Sequence, residues 1–182
     1  MSSFLQPEDC CLVVVDVQDK LAAVMHKKSE LIANICKLIK IAKALGIKII
    51  LCQQAPKALG QTVSEISELL LDNQPINKSS FSCCDQVKFN SRLAASERKQ
   101  ILLCGIEAHV CVYQTAVDLS SAGYNVTVLT DCVSSRTPEN KQIGLNRMRQ
   151  ENAKISSVEM LLFELLRTSE HPKFRELSKL IK

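Results

Sequence analysis

The sequence lacks a clustered basic surface. It contains 23 Lys and Arg against 19 Asp and Glu, a formal net charge of +4, but the lysines are scattered between apolar positions and never form a run of five or more basic residues. Proteins that bind nucleic acids or membrane surfaces concentrate positive charge on one face. We therefore expect neither a nucleic acid nor a membrane as a partner.

Long apolar segments and paired cysteine motifs are also absent. The first ten residues, MSSFLQPEDC, have neither the cationic start nor the apolar centre of a secretory signal. The nine cysteines are an odd number, and no two have the C-x-x-C spacing of a zinc site or a thioredoxin-type pair. A reducing compartment suits such thiols. These absences predict a cytoplasmic protein that is neither exported nor anchored.

What is present fits one folded domain over residues 1–182. Hydrophobic residues make up 46% of the chain and charged residues 23%, which are ordinary values for a soluble globular protein. A chain of this length buries about 70% of its unfolded surface when it folds. No internal repeat, linker or low-complexity segment divides it.

Six short segments have the apolar or β-branched character of buried strands. The first, CLVVV, ends at Asp16 and is apolar throughout, which suits a strand covered on both faces. The predicted strands are residues 11–15, 47–52, 76–80, 100–104, 126–130 and 154–156, and Gly105 is expected to end the fourth. Their alternation with helical segments predicts an α/β, three-layer Rossmann-like fold, with a six-stranded, mostly parallel sheet and helices on both faces.

Capping and turn residues set the expected helix boundaries. Residues 53–62 are predicted to form a loop because they contain proline and glycine. Three of the predicted helices are residues 31–45, 63–70 and 110–122. Two more are expected to begin at caps: one at Asp85, which runs through residue 94, and one at Thr137, which runs to about residue 151. Another is expected to follow a capping box formed by Ser156 and Glu159, and the last to begin at Pro172.

Three residues with catalytic chemistry follow the predicted strands. Asp16 ends the first strand, Lys78 lies near the end of the third, and Cys111 lies after the fourth, near the start of a helix whose amide dipoles would stabilise a thiolate. The carboxyl ends of parallel strands share one edge of a sheet, where ligands bind. Asp16 could therefore take the thiol proton, Lys78 favour the thiolate, and Cys111 attack an electrophilic carbon.

Each of these residues also has a simpler interpretation. Asp16 could be a helix cap or a satisfied carboxylate at the sheet edge. Lys78 could be an ordinary solvated lysine, and Cys111 could be one of several cysteines buried for packing. The order of the strands decides between these interpretations and convergence on one site.

The segments around these residues resemble the isochorismatase-like cysteine hydrolase family. The similarity lies in VVVDVQ around Asp16, NKSSFS around Lys78 and GIEAHVCVYQTA around Cys111, in the family's order, and it extends from about Pro7 to the C-terminus. Two further segments, DCVSSRTPENK and SSVEMLLFELL, are similar to the branch that contains small bacterial hydrolases of unknown substrate and eukaryotic isochorismatase-domain proteins.

The resemblance implies an Asp16, Lys78 and Cys111 triad that forms a covalent thioester or thioimidate with a small molecule. It also implies a cis peptide bond between Ile106 and Glu107. The backbone N–H groups of Glu107 and Cys111 would then form an oxyanion hole. Members of the family usually assemble, so a homo-oligomer is expected.

Two departures from the family narrow the expected reaction. Nicotinamidases of the family have an Asp-x-His metal motif after the second strand, but CQQAPKALG holds neither residue, and the chain has only His26, His109 and His171. We therefore expect no metal and no other cofactor, which argues against nicotinamidase activity. Isochorismatases proper use no nucleophilic cysteine, so Cys111 favours hydrolysis of an amide or related C–N bond.

Three residues near the triad are weaker candidates. Gln18 either hydrogen-bonds the substrate or caps the neighbouring loop. Phe81 either walls the pocket or belongs to the core. His109 either orients the turn before Cys111 or takes part in the chemistry, and we leave it outside the triad.

Two other classes of function stand beside the hydrolase hypothesis. One is a catalytically silent oligomeric interaction protein of the same fold. The other is a redox sensor, which requires an exposed cysteine of low pKa with a resolving partner. The apolar stripe LLFELL near the C-terminus could form an oligomer interface or pack on its own sheet.

Overall fold

The computed structural model describes residues 4–181, and within them six strands form one sheet. The strands are β1 (Cys10–Val15), β2 (Lys48–Gln54), β3 (Ile76–Lys78), β4 (Gln100–Ile106), β5 (Asn125–Ser134) and β6 (Lys154–Ser156). They lie in the order β3-β2-β1-β4-β5-β6, and every adjacent pair is parallel. The predicted α/β fold with a parallel sheet is confirmed.

Helices occupy the intervals between the strands and cover both faces of the sheet. The α-helices are α1 (Asp19–Ala22), α2 (Lys28–Ala44), α3 (Pro56–Leu59), α4 (Ser64–Ser67), α5 (Val87–Ser96), α6 (Tyr113–Ser121), α7 (Pro138–Gln150), α8 (Val158–Leu166) and α9 (Phe174–Leu177). Four 3-10 turns lie at Pro7–Asp9, Glu68–Leu70, Cys83–Asp85 and Ser178–Leu180, and a π-helical turn at Ala108–Val112 leads into α6. No helix within residues 4–181 combines the length and the apolar character needed to cross a membrane.

Strand β1 lies at the centre of the core. All six of its residues are buried, and they alternate between two apolar clusters. One cluster includes residues of α2 and α8, and the other includes residues of α5, α6 and α7. Because both faces of β1 are covered, its sequence is apolar throughout instead of alternating with polar residues.

The apolar stripe of α8 packs on the sheet of its own chain. Leu161, Leu162 and Leu165 belong to the buried cluster on the face of β1 that also includes α2, whereas Met160 and Phe163 are exposed. Of the two uses considered for LLFELL, packing on the parent sheet is the one that the structure shows.

Gly105 lies inside β4 and does not end it, so this sequence-based boundary is wrong. Its φ is +133°, and a Cβ at this position would lie 2.1 Å from the carbonyl oxygen of Val15. The glycine is needed for the close approach of β4 to β1. The strand continues to Ile106, directly before the turn that carries Cys111.

Two predicted helix caps are wrong by one position or more. Helix α5 begins after Gln86 without a side-chain cap, and Asp85 instead ends a 3-10 turn. The cap of α8 is Ser157, whose hydroxyl accepts from the N–H of Met160, because Ser156 is still the last residue of β6.

Other boundaries differ from expectation at loops and strand ends. The segment 53–62, expected as a loop, contains the end of β2 and the helix α3, and β5 extends to Ser134 instead of residue 130. The last helix begins at Phe174 and not at Pro172. The predicted cap at Thr137 is confirmed, since its hydroxyl accepts from the N–H of Asn140 at 3.2 Å.

The strand order reverses between β1 and β4. In open parallel sheets, ligands bind in the crevice beyond the carboxyl ends of the strands at such a reversal. Asp16 directly follows β1, and Glu107 directly follows β4. The fold therefore places a candidate site between these two strand ends.

Leu102→Ala is expected to lower the free energy of unfolding by about 2 to 5 kcal/mol, because it empties a fully buried position at the centre of β4. Denaturation in urea, followed by circular dichroism, measures the change. Leu71→Ala is the matched control, since Leu71 is 83% exposed, and its effect should stay within about 0.5 kcal/mol. Equal effects of the two substitutions would contradict the assignment of the core.

Candidate active site

Asp16 is held in a left-handed backbone conformation at the end of β1. Its φ is 58°, its N–H donates to the carbonyl of Cys52 at 3.1 Å, and its side chain is fully buried. Aspartate tolerates this conformation better than most residues do. The turn directs a carboxylate into the interior at the carboxyl edge of the sheet, so the helix-cap interpretation does not apply.

Lys78 is buried and makes an ion pair with Asp16, so it is not an ordinary solvated lysine. Its Nζ lies 2.6 Å from Oδ2 of Asp16 and 2.7 Å from Oε1 of Gln54. The carbonyl oxygens of Phe81 and Ser80 lie 2.9 and 3.3 Å away. Four acceptors thus surround an ammonium group that has three hydrogens to donate.

Cys111 lies in the π-helical turn that opens α6, and only 5% of it is exposed. Its thiol interacts with the Asp16 carboxylate, so the structure brings Asp16, Lys78 and Cys111 together. Burial, followed by the charge of Asp16, raises the pKa of the Cys111 thiol to about 12, and the charge of Lys78 partly opposes this rise. Lys78 therefore favours the thiolate, as expected, but burial and Asp16 outweigh it and favour the protonated thiol.

The pKa values of the other two groups of this cluster are both raised, for different reasons. Burial raises the pKa of the Asp16 carboxyl, whereas Lys78 and the Cys111 thiol lower it. Burial would lower the pKa of Lys78, but the charges of Asp16, Cys111 and Cys83 outweigh this effect and raise it. The Oδ1 atom of Asp16 is buried and has no hydrogen-bond partner of ordinary geometry within residues 4–181.

The peptide bond between Ile106 and Glu107 is cis, as the family resemblance implies. The carbonyl of Glu107 accepts from the N–H groups of Val110 and Val112, at 3.0 and 3.3 Å. These two residues flank Cys111, so the turn is fixed on both sides of the thiol.

The side chains of this turn bind to the end of β5. The Nε of Arg136 forms an ion pair with Oε1 of Glu107 at 2.8 Å, and Nδ1 of His109 lies 2.9 Å from Oγ of Ser135. His109 binds Ser135, directly after β5, and not Asp16, Lys78 or Cys111, which accords with a residue that orients the turn. Sequence analysis did not single out Arg136.

Gln18 is engaged entirely by the protein. Its Nε2 donates to the carbonyls of Gln54 and Gly60, at 2.9 and 2.7 Å, and its Oε1 accepts from the N–H of Gln54 at 2.7 Å. Because the side chain is fully buried and its amide is used, the structure supports the loop-capping interpretation over substrate binding. Phe81 is 53% exposed, so it does not belong to the core.

Gly144 permits the close packing of α7 on the turn that carries Cys111. A Cβ at this position would lie 2.8 Å from the carbonyl oxygen of Ala108 and 2.9 Å from Cα of His109. Its position inside a predicted helix was a usable sequence signal for close packing, because glycine weakens a helix and usually has a packing reason where it occurs in one.

Within residues 4–181, no group of three or more His, Cys, Asp or Glu side chains is arranged to hold a metal ion. The expectation of a metal-free, cofactor-free site stays a prediction.

A parallel sheet whose strand order reverses at its centre, with helices on both faces, is an α/β fold of Rossmann-like topology, and a thiol, a carboxylate and an ammonium group meet beyond its strand ends. Residues 10–160 match the family model of the isochorismatase domain. The chain therefore belongs to the isochorismatase family.

Similar proteins extend this comparison over nearly the whole chain. The secreted isochorismatase effector Isc1 of Phytophthora sojae is 38% identical, over 98% of this chain and 87% of that protein. The structure of the MAR1 ribonuclease from Caenorhabditis elegans is 38% identical, with a TM-score of 0.92 over 98% of this chain and 92% of that chain. The YcaC protein of Escherichia coli, an octameric hydrolase of unknown specificity, is 22% identical, with a TM-score of 0.89 over 98% of this chain and 96% of that chain.

Asp16→Asn is expected to speed the alkylation of Cys111 by iodoacetamide at pH 8. Because the charge of Asp16 raises the pKa of the thiol, its removal lowers that pKa, and the thiolate fraction rises about tenfold for each pKa unit. Mass spectrometry of the labelled peptide measures the rate. Asp19→Asn, at an exposed neighbour, should leave the rate unchanged, and slower labelling of Asp16→Asn would contradict the electrostatic assignment.

Gly144→Ala is expected to destabilise the protein by about 1 to 3 kcal/mol and to change the alkylation rate of Cys111, although alanine favours helix formation. The added Cβ would push α7 and the Ala108–Val112 turn apart. Thermal unfolding and peptide mapping measure the two effects. Arg149→Ala, at an exposed position of the same helix, should change neither; a more stable Gly144→Ala protein with unchanged labelling would refute the packing argument.

Proposed function

We propose that this protein is a cysteine hydrolase that cleaves a C–N bond, in an amide or a related group, of a small molecule through a covalent acyl intermediate on Cys111. The observation that carries the proposal is the buried contact of three groups: the Cys111 thiol, the Asp16 carboxylate with its unpartnered Oδ1, and the Lys78 ammonium. A nucleophile beside its base, with the base held by a third group, is the general arrangement of covalent catalysis.

The first step forms the acyl intermediate. Asp16 takes the proton of the Cys111 thiol while the sulfur attacks the carbonyl carbon, and the π electrons of the carbonyl move to its oxygen. The N–H groups of Glu107 and Cys111 stabilise the resulting oxyanion. Because the thiol has a pKa of about 12, proton transfer accompanies attack, and no stable thiolate precedes it.

The proton held by Asp16 then determines which bond breaks. An amide nitrogen is a poor leaving group unless it is protonated, and protonated Asp16 lies beside the tetrahedral carbon. Transfer of this proton to nitrogen breaks the C–N bond, releases the amine and leaves a thioester on Cys111. A nitrile would give a thioimidate by the same attack.

Hydrolysis of the thioester completes the cycle. Asp16, again a carboxylate, removes a proton from water as the water oxygen attacks the acyl carbon, and it returns that proton to the departing sulfur. The net reaction consumes one amide and one water and yields one carboxylic acid and one amine. Lys78 stays charged throughout and holds Asp16 in place.

Cys111→Ala is expected to lower turnover of a responsive amide, ureido acid or nitrile by about 10³-fold or more, as loss of a nucleophile does in other covalent enzymes. A panel of such compounds, with ammonia release and intact mass as readouts, identifies the substrate and its adduct. Cys84→Ala is the control, because Cys84 is half-buried in the nearby 3-10 turn and outside the triad. Equal loss in both variants, or turnover that survives Cys111→Ala, would refute the proposed nucleophile.

RNA hydrolysis is a second candidate, because the Caenorhabditis elegans structure described as a ribonuclease is 38% identical to this chain. The ammonium group of Lys78 is already paired with Asp16. This pairing weakens the attraction that Lys78 could exert on an RNA phosphate. A labelled single-stranded RNA, incubated with the wild-type protein and with Cys111→Ala, tests this candidate. Cleavage by both proteins would point to a site other than the triad.

The redox-sensor alternative finds little support at this site. Burial raises the pKa of Cys111 and of Cys84 to about 12. A hydrogen bond with Cys83, together with burial, raises the pKa of Cys52. A sensor thiol is exposed and has a low pKa, which is the opposite setting. A catalytically silent scaffold would show no adduct with any compound of the panel.

The expected homo-oligomer and cytoplasmic location belong to the same proposal. Phe81, whose carbonyl accepts from Lys78, is 53% exposed, and Val87, at the start of α5, is 81% exposed; such exposed apolar side chains are suited to a contact between copies. The similar YcaC structure is described as octameric. All nine cysteines are free, which suits a reducing compartment, although the relative from Phytophthora sojae is a secreted effector.

A further inference from the structure

The side-chain amide of Gln54 contacts the buried ion pair of the candidate site. Gln54 is half-buried at the end of β2, and it lies in register with Lys78 of the neighbouring strand β3. Its Oε1 accepts from Nζ of Lys78 at 2.7 Å, almost as close as Oδ2 of Asp16 at 2.6 Å. The amide therefore shares the ammonium group with the proposed catalytic base.

The orientation of this amide is fixed by its other hydrogen bonds. Nε2 of Gln54 donates to the carbonyl of Ser79 at 2.8 Å, so Oε1 is the atom that faces the ammonium. Gln18 holds the backbone of Gln54, because its Oε1 accepts from the N–H at 2.7 Å and its Nε2 donates to the carbonyl at 2.9 Å. These bonds leave the Gln54 side chain as an acceptor for Lys78.

The ammonium of Lys78 has fewer hydrogens than it has acceptors. It has three hydrogens to donate. Three oxygens lie within 2.9 Å of Nζ: Oδ2 of Asp16, Oε1 of Gln54 and the carbonyl of Phe81. The carbonyl of Ser80, at 3.3 Å, is more distant. No hydrogen is left for Oδ1 of Asp16, which is buried and has no hydrogen-bond partner of ordinary geometry among the described residues.

Without Oε1 of Gln54, one hydrogen of the ammonium would lose its partner. A buried carboxylate oxygen without a donor is unfavourable, so Oδ1 of Asp16 would attract this hydrogen more strongly than the distant carbonyl of Ser80 does. Hydrogen bonds to the charged form of a carboxyl group lower its pKa. An Asp16 bonded to Lys78 through both oxygens would therefore be a weaker base.

We propose that Gln54 is a positioning residue, which binds one hydrogen of the Lys78 ammonium and thereby keeps Oδ1 of Asp16 free to take the thiol proton. The inference rests on the proposed function and adds a residue to its machinery. Gln54 acts through Lys78, so its role requires no contact with the substrate or with Cys111.

The charge selectivity of Cys111 alkylation tests this role without a substrate. Iodoacetate and iodoacetamide are similar in size but differ in charge, so the ratio of their rates reports the electrostatic potential at the sulfur more than its exposure. Gln54→Met removes Oε1, so the ammonium turns towards Oδ1 and offsets more of the carboxylate charge beside the thiol. The ratio of the iodoacetate rate to the iodoacetamide rate should rise about two- to threefold.

Gln54→Glu is expected to move the same ratio in the opposite direction. It keeps an oxygen acceptor for Lys78 but adds a negative charge beside the ammonium, which should lower the ratio about two- to threefold. Simple loosening of the site would move the ratio in the same direction, or not at all, in both variants. Peptide mapping by mass spectrometry measures the two rates for each protein.

Gln53→Met is the matched control in the same strand. Gln53 is buried, and its Nε2 donates to Oγ1 of Thr62 at 2.7 Å, so the substitution removes a buried amide that has a different partner. Its rate ratio should equal that of the wild type. An unchanged ratio in Gln54→Met, or shifts of the same sign in the two Gln54 variants, would overturn the inference. If Gln54→Met does not fold, Gln54→Glu decides, and a ratio no lower than that of the wild type refutes the role.

Turnover separates this inference from the proposed reaction. For a compound that the wild type hydrolyses, Gln54→Met should lower kcat about tenfold with little change in KM, which is part of the about 10²- to 10⁴-fold that a general base contributes. Wild-type turnover that Gln54→Met leaves unchanged would support the reaction and refute the role of Gln54. Opposite shifts of the rate ratio, with no turnover of any compound by the wild type, would support the hold of Gln54 on Lys78 and refute the reaction.

Discussion

The buried ion pair between Lys78 and Asp16 is the contact on which the rest of the site depends. Removing an ammonium and a carboxylate from water costs several kcal/mol for each ion, which is recovered only when geometry and additional hydrogen bonds are favourable. Here the Nζ to Oδ2 distance is 2.6 Å, and Gln54 and the carbonyl of Phe81 complete the shell of Lys78. Loss of either partner leaves a buried charge, so the pair ties the ends of β1, β2 and β3 together.

The position of the thiol depends on two glycines in different elements. Gly105 lets β4 approach the carbonyl of Val15, and Gly144 lets α7 approach the turn before Cys111. Between them the turn is fixed by its bonds to Glu107 and by the contacts of His109 and Ser135. The sheet therefore supplies the charged groups, while helix packing sets where the sulfur meets them.

Sequence patterns predicted the parts of this arrangement that depend on local composition. The run CLVVV identified a strand covered on both faces, and Thr137 identified a helix start. Each of these signals depends only on the residues of its own segment. The convergence of Asp16, Lys78 and Cys111 followed from the shared edge of a parallel sheet. These predictions needed strand order but no side-chain detail.

Contacts between distant segments could not be predicted in this way. Gln54 binds both Gln18 and Lys78, and Arg136 binds Glu107, but neither residue lies in a pattern that distinguishes it from other polar residues. Gly105 looked like the end of a strand because its role, contact with Val15, is tertiary. The cap of α8 was misplaced by one residue because two consecutive serines fit the same pattern and the end of β6 chose between them.

The protonation state of the resting site has a consequence for how such a protein selects its reactions. A thiolate stable at neutral pH would react with many electrophiles, whereas a thiol of pKa about 12 has only a small thiolate fraction and reacts slowly unless a base removes its proton during attack. In the proposed reaction Asp16 removes this proton as the sulfur attacks a bound substrate, and it then holds the proton that a leaving nitrogen needs. The burial that suppresses general thiol reactivity therefore agrees with the proposed reaction, in which cleavage of a C–N bond requires a proton.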